Sequence, residues 1–194
     1  MAYIPGQKTN RPFFGYRGVN AQFGMRLGDE IEARLGKEGK ITVLDIACGT
    51  EAEAITELTM MHENLTGIGL DYSFDFEKQE SARLSLMRRD IFDLKLESVA
   101  DVAYCAFLFA DIFHLDREDS LNEQARATFQ IAKTLKPNGI AYIDEGAIST
   151  RQYWVDKFAR RIEGFHPGFM NKYQITNNPE LGVIGNHLLV RSRI

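Results

Sequence analysis

Three acidic residues, Asp45, Asp71 and Asp90, each lie within or shortly after an apolar run, and each could meet a ligand. The first lies in VLDIACGT, Val43 to Thr50, followed by the small residues Ala47 and Gly49. Small residues at the end of a buried strand let the backbone approach a ligand that larger side chains would exclude. Asp45 could accept hydrogen bonds from a cationic ligand group; the alternative is a strand–turn–helix in which it only caps local backbone. Asp71 closes the next apolar run, LTGIGLD. A carboxylate there can accept both hydroxyls of a ribose through charge-assisted bonds. It could also cap a following helix, a role for which Ser73 competes. Asp90, in RRDIFDL, could meet the amino group of an adenine, although an aspartate in a loop needs no ligand to explain it.

The elements that must position these residues alternate along the chain. ITVLDIACG predicts a buried strand running into a tight turn. Before it, Leu27, Ile31 and Leu35 recur at four-residue spacing, a helix that Gly36 can stop. After it, Ala54, Leu58 and Met61 share one helical face. LTGIGLD is a second strand, Ser73 to Arg83 a short helix by elimination, LSLM a third strand and ADVAYCAFLF a fourth. Ser120 to Leu135 carries the stripe Leu121, Ala125, Phe129, Ala132 and Leu135, with Ser120 and Glu123 as a capping box. Lys136 to Gly139 predicts a turn, IAYIDEG a fifth strand, and Arg151 to Arg161 a helix. FMNKYQI and GNHLLVRSRI supply two closing β segments.

This alternation predicts a doubly wound α/β fold: a mostly parallel, seven-stranded sheet with helices on both faces and an antiparallel edge. The expected organisation is one domain over 1–194. It comprises an arm without clear period (1–22), a core (40–147), and a C-terminal helix with closing strands (148–194). Ligands bind such sheets outside the carboxyl ends of the strands, where strand order reverses.

Composition narrows the function classes. A net charge of −4, with basic residues clustered only as Arg88-Arg89 and Arg160-Arg161, disfavours a nucleic-acid partner. The longest apolar run, Val102 to Ala110, is too short to span a bilayer, so no membrane partner is expected. The N-terminus lacks the apolar core of a secretory signal, and two cysteines do not make a disulfide framework; a cytoplasmic protein is expected. Cys48 and Cys105 fall at the ends of strands expected side by side, so a disulfide is conceivable beside the preferred reading of two free thiols. His62, His166 and His187 show no metal-ligand spacing, and no metal is expected. The arm or the last strands could serve a homodimer.

In order, VLDIACGT, GIGLDYS, RRDIFDL, ADVAYCAFLF and LKPNGIAYIDEG resemble the successive motifs of class I S-adenosylmethionine-dependent methyltransferases, over roughly residues 40 to 147. The resemblance implies a Rossmann-like methyltransferase fold, S-adenosylmethionine as cofactor and S-adenosylhomocysteine as product. Asp45, Ala47 and Gly49 would line the methionine part, Asp71 with Tyr72 would hold the ribose side, and Asp90 with Ile91 would flank the adenine. Cys105 to Phe107 would face the transferring methyl group. No G-x-G-x-x-G is present, which disfavours a dinucleotide-binding dehydrogenase.

The turn departs from the family at one position. The family continues CGTG where this chain reads CGTEAEA, placing Glu51 at the third glycine. Glu51 could join the first turn of the next helix, where an acid is favoured by about 0.3–1 kcal/mol. It could pair with the cofactor ammonium, or it could block the pocket.

Methyl transfer needs a dry pocket that holds the acceptor in line, and some acceptors need a base. His114, after the fourth strand, is the candidate base; as a lone histidine it also fits a structural role. Phe14, Tyr16, Phe107 and Glu145 are the expected acceptor-pocket residues, and Tyr104, Tyr153 and Trp154 could also line it or belong to the core. Without a large inserted lid, the expected acceptor is a small or medium organic molecule. The alternative, raised by Glu51, is a methyltransferase-fold protein without methyl transfer: a regulatory or partner-binding module, or a non-methylating, cyclase-like enzyme.

Overall fold

The computed structural model describes residues 15–74, 78–106, 117–144, 152–177 and 187–194. Its strands are β1 (Ile41–Ile46), β2 (Leu65–Asp71), β3 (Lys78–Ser81), β4 (Leu84–Arg88), β5 (Ala100–Cys105), β6 (Leu135–Asp144), β7 (Tyr173–Asn177) and β8 (His187–Ser192). They form one sheet in the order β3-β4-β2-β1-β5-β6-β8-β7. From β4 to β6 the strands are parallel. β3 on β4, β8 on β6 and β7 on β8 are antiparallel. The doubly wound class is as expected, with one strand more than the seven predicted and antiparallel pairing at both edges.

Helices α1 (Tyr16–Gln22), α2 (Arg26–Glu38) and α3 (Glu53–Met61) cover one face; α4 (Arg117–Lys133), α5 (Gln152–Phe165) and α6 (Phe169–Lys172) cover the other. Side chains alternate along β1: Ile41 and Val43 pack with Leu27, Ile31 and Leu58, whereas Leu44 and Ile46 pack with Ala125, Ile131 and Phe158. A strand buried on both faces must read as a near-continuous apolar run, which is why ITVLDI forms the sheet centre. Asp45 falls by this alternation on the α1–α3 face.

At the opposite end of the strands, Oδ2 of buried Asp101 accepts from the Thr42 amide and from the Lys136 ammonium, each at 2.7 Å. One carboxylate thereby ties β5 to β1 and β6.

Several local expectations are corrected. The segment expected as a helix over Ser73–Arg83 contains β3, which pairs with β4 as an edge hairpin. The arm carries helix α1, whose first amide, Tyr16 N–H, donates to Glu57 Oε2 of α3 at 2.7 Å. That bond satisfies a donor that a helix start otherwise leaves unpaired. α2 runs past Gly36 to end at Gly39, whose φ of 75° suits a glycine. Met61 is exposed, and Ile55 with Ala54 and Leu58 forms the buried face of α3. α4 begins at Arg117, so Ser120 is a buried residue inside the helix rather than its cap. Residues 136–139 fall within β6, where Asn138 at φ 62° marks the irregularity expected as a turn.

Candidate functional site

From β1 the chain moves outward to β2 and β4 on one side and returns to β5 and β6 on the other. The strand order therefore reverses between β1 and β5, and the crevice at their carboxyl ends is where such a sheet receives a ligand.

The turn after β1 is tied to β2. The Ala47 and Cys48 amides both donate to the Leu70 carbonyl, at 2.8 and 3.1 Å. Ala47, Gly49 and Ala52 hold left-handed φ values of 63°, 76° and 47°. An alanine in that region costs roughly 1–2 kcal/mol, which these hydrogen bonds must offset. Strain of this kind concentrates at functional sites.

Gly49 N–H donates to Asp71 Oδ2 at 2.8 Å, so the tip of β2 grips the turn of β1 directly. Asp71 Oδ1 accepts from the Ser73 amide at 2.8 Å and from the Ser73 hydroxyl. Asp71 is thus an organiser of two loops and not a helix cap. An ionised carboxylate offers about four acceptor positions, so the three bonds leave one, on Oδ2.

Asp45, only 4% exposed, accepts from the Tyr104 hydroxyl at 2.8 Å through its Oδ2. The two are register partners on β1 and β5. Burial pushes the Asp45 carboxyl up to about 7; the Tyr104 bond opposes this and the charge of Asp71 adds to it. Burial holds the Tyr104 phenol and the Cys48 thiol well above their ordinary values, so both keep their protons. The sequence reading missed this pair because it joins strands distant along the chain. The available signal was that β1 and β5 should be neighbours, with Asp45 and Tyr104 on one face.

Glu51 is exposed and precedes α3, which starts at Glu53. It is not in the first turn of the helix; the acid there is Glu53. Half-buried Tyr72 follows Asp71, and the Arg88 guanidinium lies 5.0 Å from its ring centroid. Such a cation over a ring contributes about 0.5–1 kcal/mol at an exposed site and fixes the ring plane. Asp90 organises its own turn at the end of β4: Oδ1 accepts from Phe92 N–H and its carbonyl from Asp93 N–H, both at 2.9 Å. Ile91 is buried in the core on the α4–α5 face.

Cys105 is fully buried on that same face, whereas Cys48 packs against the α1–α3 cluster. Both are free thiols, and their positions on opposite faces of the sheet explain why no disulfide joins them. Tyr16, expected near the acceptor, is buried in the α1–α3 core; burial and the charges of Glu32 and Asp29 push its phenol up to about 12. His114, Phe14, Phe107 and Glu145 lie outside the described residues, as do the side chains of Tyr153 and Trp154. Asp45, the Ala47–Gly49 turn, Asp71 and Tyr72 are the predicted residues that come together, with Tyr104 added by the structure.

A separate open groove of about 490 Å³ lies on the α4–α5 face, lined by Phe92, Glu123, Arg126, Gln130, Phe165 and His166. It shares none of these residues with the crevice.

No family model matches the sequence, and no curated protein matches it. Among solved structures, the chain is similar to CalS10 of Micromonospora echinaspora, an amino pentose methyltransferase solved with S-adenosylmethionine bound. The match has a TM-score of 0.56 at 12% identity and covers 97% of this chain and 100% of that one. It is also similar to the antibiotic-resistance methyltransferase Kmr, with a TM-score of 0.54 at 12% identity, covering 96% and 97% of the two chains.

Proposed function

Because the chain has the fold of class I methyltransferases, we propose that it is an S-adenosylmethionine-dependent methyltransferase acting on a small or medium organic acceptor. The observation that carries this reading is the Gly49–Asp71 hydrogen bond at the crevice. It joins a backbone turn and a carboxylate at the ends of adjacent strands. The donor set fits the cofactor chemically. Buried Asp45 without a described cationic partner suits an ammonium, and the acceptor position left on Asp71 Oδ2 suits a ribose hydroxyl. Tyr72, its ring steadied by Arg88, suits the nucleobase side. Similarity to a structure solved with S-adenosylmethionine adds support through the fold.

When bound, the sulfonium supplies an activated methyl and a good leaving group. The chain would then bind the amino-acid end at the Ala47–Gly49 turn, orient the ribose through Asp71, and exclude water from the crevice. His114 remains the proposed base for acceptors that need one.

Thermal unfolding with S-adenosylmethionine and S-adenosylhomocysteine tests the reading. Ligand at a hundred times its dissociation constant stabilises a fold by about 2.7 kcal/mol. A rise in midpoint with both compounds is expected, and no rise with either would reject the proposal.

The second reading, a methyltransferase-fold module or cyclase-like enzyme without methyl transfer, draws on Glu51 in the exposed turn before α3. Glu51→Gly separates the two. Tighter cofactor binding in the variant favours obstruction by the side chain, and unchanged binding favours the methyltransferase.

A further inference from the structure

Away from the crevice, the groove on the α4–α5 face gathers side chains that methyl transfer leaves unused. Glu123, Arg126 and Gln130 stand at i, i+3 and i+7 of α4 and so share one helical face. Phe165 ends α5, His166 follows it, and Phe92 comes from the turn after β4. The groove of about 490 Å³ falls within the range of pockets that hold small organic ligands.

Its donors are not committed elsewhere. Among the described residues, the Arg126 guanidinium pairs with no carboxylate, and its contact is the Phe165 ring, 5.8 Å from guanidinium carbon to centroid. A guanidinium lying over a ring keeps its N–H edge for an anion. The Gln130 carboxamide and the His166 imidazole nitrogens likewise have no hydrogen-bond partner among the described residues. The His166 ring is stacked on Phe129, with centroids 3.5 Å and planes 7° apart, which fixes its plane and covers one face. Burial first, then the charges of Arg126 and Lys133, lower the His166 pKa, so a neutral imidazole sits in the field of two cations. Lys133 is already paired with Glu97 at 2.7 Å. Arg126 is the cation left for a ligand.

We propose that this groove is a second ligand site, one that takes a small aromatic monocarboxylate. The carboxylate would sit on Arg126, through two parallel N–H bonds, with Gln130 and the imidazole N–H as further donors. The aromatic body would lie against Phe165 and Phe92. Glu123 puts a negative charge on the same helical face, which disfavours a ligand of higher charge such as a phosphate. The proposal does not depend on what the crevice binds.

Amide NMR of the full chain, isotopically labelled, tests this with indole-3-acetate as the probe. The expected result is a saturable movement of the Phe92, Arg126, Gln130, Phe165 and His166 signals, with Gly49 and Asp71 unmoved. Indole-3-acetamide keeps the ring without the charge, and hexanoate keeps the charge without the ring. Each should bind about tenfold more weakly, the loss of one charge-assisted contact or one ring contact. Arg126→Gln changes an exposed side chain. It should weaken indole-3-acetate by about tenfold with the thermal midpoint unchanged. If the variant does not fold, the comparison of probes on the unsubstituted chain decides alone. Acid and amide binding equally, inorganic phosphate binding as tightly as the acid, or movement that never saturates would each overturn the proposal. So would movement of the same signals on raising protein concentration without a probe, which would make the groove the contact of a second copy.

Discussion

The Tyr104 hydroxyl and Asp45 Oδ2 lie 2.8 Å apart across neighbouring parallel strands, beneath the point where the strand order reverses. The pair has a consequence for stability that needs no ligand. A folded-state carboxyl raised from 3.8 to about 7 binds more protons than the unfolded chain between those limits. Its contribution is therefore fully favourable at low pH and is lost as pH rises from about 4 to about 7. Asp45→Asn keeps an acceptor for Tyr104 and removes the titration. Urea unfolding across this range should show the variant gaining on the unsubstituted protein by a few kcal/mol in order of magnitude. Parallel pH profiles for the two proteins would contradict the assignment.

Asp71→Ala should remove three hydrogen bonds at once, those from Gly49 N–H, Ser73 N–H and the Ser73 hydroxyl. A hydrogen bond to a charged group is worth about 1.5–3 kcal/mol, and part of this is recovered by water at a half-buried site. The expected loss of stability is about 1–3 kcal/mol, with the thermal shift by S-adenosylhomocysteine abolished. A folded variant that still shows the full shift would refute the ribose role.

Asp101→Ala acts at the other end of the sheet. It leaves the Thr42 amide and the Lys136 ammonium without their shared carboxylate. The urea midpoint should fall by the equivalent of about 1–3 kcal/mol, while cofactor affinity at saturating folded protein stays unchanged. Weakened affinity would mean that the two ends of the strands are coupled.

Gly67→Val tests how closely α3 lies on β2. A Cβ at Gly67 would meet Thr59 Cγ2 at 2.5 Å and Ile55 Cγ1 at 2.9 Å, so α3 must move outward. Overpacking of this kind typically costs 1–3 kcal/mol. Because α3 follows directly from the Ala47–Ala52 turn, cofactor affinity should fall as well. A variant with unaltered affinity would show that the turn is held independently of the helix.

The parts of this molecule that are written locally were legible in the sequence. The β1 turn and the Asp71 position could be read because a strand buried on both faces must be apolar and must end in residues that permit a tight bend. α2 and α4 could be read because one helical stripe faces the core. The parts set by distant partners were not. α1 exists with Glu57 of α3 bound to its first amide, and β3 is an edge strand whose backbone pairs with β4, so neither needs a periodic pattern. The Asp45–Tyr104 bond depends on strand order, which no residue pair reveals by spacing. Of the three readings open for Glu51, the one in the first turn of the helix fails because that helix begins two residues later, at Glu53, with a left-handed Ala52 intervening at φ 47°.

The most direct test is a crystal structure of the chain grown with S-adenosylhomocysteine. The ribose hydroxyls should lie on the Asp71 carboxylate, with the amino-acid end against the Ala47–Gly49 turn and its ammonium toward Asp45. Ligand density confined to the groove of Phe92, Arg126 and His166, or a crevice closed by the chain's own side chains, would contradict the account.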